Sequence, residues 1–183
     1  MIAISGPSIS NHLAFVRVLL AATGLLTLSG DAFATPDIVP PVMPASQSMR
    51  SQAAETTMLV EKYHDYIDSL NRRAWNELDH FVVEGVQFNG RTVGVKGLGE
   101  LLDDVVHSAP DIRWTVDMEV VQPPRIAARL RIVCTPPGDL FGVSVNGRRV
   151  SLNEHLVYQF EGDKISAIWG VLDLDGLKAQ LND

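Results

Sequence analysis

Glu154 is the side chain in this sequence best placed for proton chemistry. It falls on the strand-like run Ser151 to Phe160, in phase with Leu152, Leu156, Tyr158 and Phe160. A carboxylate ringed by apolar side chains loses hydration, and its pKa rises toward the range where a general acid or base works at neutral pH. Two other outcomes fit the same residues. A β-bulge or strand end could turn Glu154 to solvent, or Arg129 or Arg131 could pair with it across a sheet. His155 is the second candidate catalytic group, since histidine titrates near neutrality. Adjacent strand residues point to opposite faces, so only one of Glu154 and His155 enters a given pocket unless the strand bulges. His155 shares its face with Asn153 and Gln159, which reads as an outer or dimer-facing surface. Asp173 is the third candidate. It follows the last strand, where it either caps the closing helix or acts on a ligand at a pocket rim.

The candidate ligand contacts are aromatic: Tyr63, Phe88, Trp114 and Trp169. Aromatic side chains of this kind also build cores, and both roles are open here. A buried tyrosine hydroxyl needs a hydrogen-bond partner, which a ligand oxygen can supply. His64, His80 and His107 lie on helix-like stretches without a partner motif and read as structural or exposed. The single cysteine, Cys134, lies in the apolar run Ile132-Val133-Cys134 and reads as a buried hydrophobe. No Cys/His spacing suits zinc, so no metal site is expected. A net charge of −7, with only the pairs Arg72-Arg73 and Arg148-Arg149 as basic clusters, argues against a nucleic-acid partner.

These residues need elements to hold them. Residues 1–34 read as a signal peptide: an apolar stretch from Phe15 to Leu28 precedes Ala32-Phe33-Ala34, whose small first and third residues suit cleavage after Ala34. The stretch is too short for a comfortable membrane span. Its removal takes away one Arg and one Asp and leaves a periplasmic or secreted chain with no stable membrane span. Residues 35–50 read as a linker, since Pro36, Pro40, Pro41 and Pro44 disfavour helix and strand interiors. Residues 51–183 read as one domain. Leu59, Tyr63, Tyr66, Ile67 and Leu70 form an apolar stripe on a helix from Ser51 to Arg72. Further helices cover Trp75 to Val82 and Gly97 to His107, with a short strand Val86 to Phe88 between them. Ile112 to Val121, Ile126 to Val133, Ser151 to Phe160 and Lys164 to Trp169 read as four antiparallel strands, and a short helix closes the chain. Helices segregated from an antiparallel sheet predict an α+β domain.

The chain resembles the SnoaL-like polyketide cyclases, within the group sharing the nuclear-transport-factor-2 and ketosteroid-isomerase fold. The resemblance rests on Tyr63 to Trp75, Val95-Lys96-Gly97-Leu98, Pro110 to Trp114, Phe141-Gly142-Val143 with Gly147 to Val150, Tyr158 to Ile165, and Trp169 through Asp173 to Gly176-Leu177. It covers about 130 residues, and the order and spacing of these motifs carry it rather than any one of them. It implies a cone: a curved antiparallel sheet wrapped around the amino-terminal helices, with an apolar pocket at its open end. It also implies a homodimer through the outer sheet face, a small apolar ligand, no cofactor, and ring closure by an aldol step in which a pocket carboxylate moves a proton on and off carbon. The same fold hosts isomerases and plain binding modules, so a non-catalytic periplasmic ligand-binding protein or a dimeric interaction module is the alternative. The family pattern leads us to expect a second acid or histidine on the last strand, and Lys164 to Trp169 supplies none.

Overall fold

The computed structural model describes residues 45–182. The expected signal peptide and most of the expected linker lie outside these residues.

The first helix, α1 (Ala45–Arg72), is longer than its apolar stripe. It takes in Ala45 to Arg50, which the proline content assigns to the linker. All four prolines of that stretch precede Ala45 in the sequence, so none interrupts the helix. Leu59, Tyr63, Tyr66, Ile67 and Leu70 are all buried, as the helical spacing predicts. The helix ends on Arg73, whose φ of 61° is left-handed. The Arg73 amide donates to Leu70 O (3.1 Å) and the Ala74 amide to Ser69 O (3.0 Å), the bond pattern of a Schellman cap. Glycine usually takes this position. Here the Arg73 guanidinium offsets the strain by bonding Leu70 O and Ile112 O and lying 5.2 Å from the Trp114 ring centroid.

A 3-10 turn (Trp75–Glu77) and a one-turn helix, α2 (Leu78–Phe81), lead into β1 (Val82–Phe88) and β2 (Arg91–Thr92). Helix α3 (Gly94–Ser108) follows, then the long strands β3 (Arg113–Gln122) and β4 (Arg125–Cys134). A two-stranded ribbon, β5 (Asp139–Leu140) and β6 (Val143–Ser144), precedes the hairpin of β7 (Val150–Glu161) and β8 (Lys164–Leu172). The hairpin turns at Gly162, whose φ of 63° suits the missing Cβ. Helix α4 (Leu174–Leu181) closes the chain.

Six strands form one curved sheet in the order β2-β1-β8-β7-β4-β3. The α+β expectation holds, but the sheet is mixed rather than antiparallel throughout, because β1 runs parallel to β8. The buried side chains of α1 and of the sheet form a single core between them.

The pairing shifts register three times, once between Val82 and Gln87 of β1, and the breaks in β3 and β8 decide which of their residues face that core. In β3 the pairing steps from Val116↔Leu130 to Met118↔Arg129, so Asp117 is the extra residue. In β8 it steps from Phe160↔Ile165 to Gln159↔Ala167, so Ser166 is extra. Each bulge inverts the alternation beyond it.

Candidate functional site

The inner face of β7 carries Val150, Leu152, Glu154, Leu156, Tyr158 and Phe160. All are buried except Glu154, which is half-buried. Glu154 lies opposite Leu130 on β4 and Leu172 on β8, so its lateral neighbours are aliphatic. Its carboxylate has no ionic or hydrogen-bonding partner among the described residues, and desolvation alone lifts its pKa to about 7. Arg129 and Arg131 do not reach it. They pair in register with His155 and Asn153, on the other face, and Arg129 is bonded to Asp117.

Gly170 makes room for the carboxylate. A Cβ on Gly170 would stand 3.1 Å from Glu154 Oε1 and 3.2 Å from Leu156 Cδ2. The glycine is itself held by the turn after β1. Its amide donates to Asn89 Oδ1 (2.9 Å), Asn89 Nδ2 donates to its carbonyl (3.3 Å), and the Asn89 amide donates to Ile168 O (2.8 Å). Asn89 has φ 48°, a left-handed conformation that asparagine tolerates better than most residues.

Three phenols share the interior with Glu154. The Tyr63 ring centroid lies 4.9 Å from that of Tyr158, and Tyr66 lies 6.2 Å from both Tyr158 and Phe81. Burial drives all three tyrosines well above their ordinary pKa, and the charge of Glu154 adds to each. They therefore remain hydrogen-bond donors at any physiological pH.

The bulge at Asp117 brings in an acid that strand alternation does not reveal. Beyond it, Glu119 lies opposite Ala128, on the inner-face row. Its Oε2 is 3.1 Å from Nε2 of His64 on α1, and the His64 ring stands edge-on to Tyr63 at 5.7 Å. The pair lies toward solvent, with the His64 side chain 49 % and the Glu119 side chain 23 % exposed.

The other candidates separate. Tyr63 faces the interior and is fully buried. Phe88 pairs in register with Ile168, beside Tyr158, and packs half-buried against the core. Trp114 is buried, but it is two strands and two residues away from Glu154 in register. There it anchors the end of α1, with its backbone bonded to the Asn71 side chain at both amide and carbonyl and its ring under Arg73. Trp169 is not a pocket wall. The bulge at Ser166 turns Ile168 inward and leaves Trp169 opposite Val157 on the outer face, 41 % exposed. His155 is exposed on that same face, which removes it from the interior chemistry. Asp173 spends its carboxylate on the amide of Gly176 (2.9 Å) as the amino-terminal cap of α4, so it does not reach the interior as an acid. Among the described residues, no three His, Cys, Asp or Glu side chains cluster as metal ligands would.

Residues 58–181 match the family model described as SnoaL-like polyketide cyclase. A crystal structure of a SnoaL-like polyketide cyclase from Agrobacterium tumefaciens is 41% identical, covers 67% of this chain and 97% of its own, and superposes with a TM-score of 0.65. TsrD from Streptomyces laurentii is 24% identical over 70% of this chain and 95% of its own, with a TM-score of 0.59. IdmH from Streptomyces antibioticus, at 16% identity over 68% and 99%, gives 0.61; these last two show the shared fold. A comparison with curated proteins finds no match. The matched segment runs from Met58, within α1, through the hairpin that carries Glu154, and the chain belongs to the SnoaL-like polyketide cyclase family.

Proposed function

We propose that this protein holds a small, largely apolar molecule inside the cone and moves a proton on and off one of its carbons, with Glu154 as general acid and base. The observation that carries this reading is the unpaired Glu154 carboxylate on the inner face, titrating near 7. Burying a carboxylate without a partner is costly, so a site that keeps one calls for a use. The 41% identical relative, itself described as a polyketide cyclase, supports a carbanion-forming step such as ring closure or isomerisation. A direct test follows hydrogen–deuterium exchange beside the carbonyl of 2-tetralone, an enolisable bicyclic ketone, by NMR in heavy water. Wild-type protein should accelerate exchange. Glu154→Gln should lose roughly two to four orders of magnitude of that acceleration, while His155→Gln should keep it. Exchange that survives Glu154→Gln unchanged would remove this residue from the mechanism.

The outer face supports a second element of the reading, a homodimer. Met118, Val120, Val157, Trp169 and Val171 are exposed large hydrophobics, all on outward strand positions. A shallow concavity of about 330 Å³ opens among Met118, Val120, Arg129, His155 and Val157. An apolar patch of this kind marks an interaction surface, and a second copy of the same sheet presents matching side chains. Sedimentation should give a dimer for wild type and a monomer for Trp169→Asp with an unchanged fold; a wild-type monomer at tens of micromolar would refute it. With residues 1–34 as a cleaved signal, the dimer works in the periplasm or outside the cell. The mass of the exported chain tests that, since a retained Met1 excludes cleavage.

A further inference from the structure

Among the described residues, three side-chain amides stand in for a missing rung of the sheet. Asn71 Nδ2 donates to Trp114 O (2.9 Å) and Asn71 Oδ1 accepts the Trp114 amide (3.0 Å), on the edge strand β3. Gln180 Nε2 donates to Ser151 O and Gln180 Oε1 accepts the Ser151 amide (3.0 Å), on β7. Asn89 clamps Gly170 on β8 in the same way, across 81 residues of sequence. The ladder between β1 and β8 ends at Phe88↔Ile168, and the Asn89 amide still donates to Ile168 O. The chain then turns away through Asn89 and Gly90, both left-handed, with φ of 48° and 78°. The next rung is therefore made by the Asn89 side chain instead of by backbone. Asparagine suits the position, because it tolerates this backbone and its amide carries a donor and an acceptor side by side.

Of the three clamped residues, Gly170 is the one that seats Glu154. It lies opposite Leu156 on the inner face, diagonal to Glu154, and a Cβ there would stand 3.1 Å from Glu154 Oε1. The carboxylate thus rests over bare backbone, and where that backbone lies decides where the carboxylate lies. At Gly170 the strand β8 is supported by β7 on one side and by Asn89 on the other. We infer that Asn89 is a positioning residue: by fixing the Gly170 backbone it holds the Glu154 carboxylate in its dry seat on the inner face. This rests on the proposed role of Glu154 and adds a residue that acts only through the strand. Without the clamp, the end of β8 has a partner on one side alone, Gly170 shifts, and water reaches the carboxylate. Desolvation is the one cause that lifts the Glu154 pKa to about 7, so a gain of water lowers it. A displaced base also loses reach to its proton, and a shift of about an ångström costs roughly 10- to 100-fold in rate.

Glu154 ionisation can be read without any ligand, from the carbon-13 signal of its carboxyl in glutamate-labelled protein, with Glu154→Gln identifying the signal. Asn89→Gly keeps the left-handed backbone and removes the clamp. It should lower the Glu154 midpoint by about one pH unit. It should also slow 2-tetralone exchange roughly 10- to 100-fold, through kcat rather than KM. Asn89→Ser, whose side chain is too short for both bonds, should show the same fall and serves if the glycine variant does not fold. Asn89→Asp keeps an acceptor for the Gly170 amide and should hold the midpoint at or above the wild-type value. Asn71→Ala breaks the matching clamp at Trp114, two strands from Glu154, and should lower the melting temperature while leaving the midpoint in place. A wild-type midpoint in folded Asn89→Gly or Asn89→Ser overturns the inference, whatever the melting temperature. An equal fall in Asn71→Ala overturns it too, by showing a general loosening of the sheet. An equal fall in Asn89→Asp does so by showing that the bond to the Gly170 amide does not set the seat. Wild-type protein that catalyses no exchange, with the midpoint still shifted in Asn89→Gly, overturns the proposed function alone and leaves Asn89 as the residue that seats the carboxylate.

Discussion

On the inner face of β7, Glu154 sits without a partner between Leu130 and Leu172, under the tyrosines of α1. One residue along, on the outer face, His155 is exposed opposite Arg129, whose own charge is met by Asp117. Outside, charges are solvated or paired and are worth little to stability in either direction. Inside, a single charge is desolvated and unanswered. The cost of that arrangement is the part of this molecule that stability alone does not explain, and it separates a face built for chemistry from one built for contact.

The largest expected effect on this contrast comes from pH. The Glu154 pKa is about 7 in the folded chain against 4.5 for the unperturbed group. Below 4.5 the group is protonated in both folded and unfolded chains, and it imposes no penalty. Between 4.5 and 7 the unfolded chain ionises it first, so the folded state loses stability as pH rises, and above 7 the full penalty of roughly 3 kcal/mol applies. Glu154→Gln should therefore be more stable than wild type at pH 8 by about that amount and equal to it at pH 4. Other carboxylates act in the opposite sense. The Thr135 amide and hydroxyl hold Asp111 below its usual range, and Arg72 does the same for Glu77, so both lose stability as pH falls. The difference between the two denaturation curves, rather than either curve alone, isolates Glu154. A difference that does not vary with pH would mean the carboxylate is solvated, and the contrast between the faces would fail.

A smaller effect sharpens the contrast at the seat of the carboxylate. Gly170→Ala places a methyl 3.1 Å from Glu154 Oε1 and 3.2 Å from Leu156 Cδ2. The buried leucine has little room to yield, so the carboxylate moves. The alanine also restricts the unfolded chain, a gain of up to about 1 kcal/mol where the backbone is compatible. We expect a net stability change within about 1 kcal/mol, a roughly tenfold loss of exchange activity, and a pH midpoint that falls below 7 as the carboxylate moves toward water. A midpoint that stays at 7 with activity intact would show that Gly170 leaves space without setting the position of Glu154.

How much of this was legible in the sequence depends on how local the signal was. The stripe Leu59-Tyr63-Tyr66-Ile67-Leu70 and the run Leu152 to Phe160 are periodic within one element, and both faces came out as read. The opposite placement of Glu154 and His155 followed from alternation alone. The outward turn of Trp169 and the inner-face position of Glu119 share one cause that alternation does not display. Each lies beyond a bulge, at Ser166 and Asp117, and nothing in the local residue types announces an inserted residue in a strand. The parallel pairing of β1 with β8 and the bond from Asn89 to Gly170 join segments about eighty residues apart, which no local pattern can display. Asn89-Gly90 was legible as a turn; its grip on the strand beneath Glu154 was not.

Asp173 gives the smallest effect and the cleanest boundary to the comparison. Like Glu154 it is an acid at the edge of the hairpin, just past the end of β8, but its carboxylate accepts the Gly176 amide at the start of α4. Its backbone amide also bonds Asn153 O, which ties the cap to β7. Removing a cap of this kind costs about 1 kcal/mol, because one helix amide loses its acceptor. Asp173→Ala should lower stability by that amount, and Asp173→Asn should recover most of it, since asparagine caps nearly as well. Neither variant should alter ketone exchange or its pH midpoint. If Asp173→Asn kept full stability but lost exchange, the acid at the rim would be acting on the ligand as well as on the helix. The division between an interior carboxylate kept for chemistry and outlying ones kept for structure would then have to be redrawn to include it.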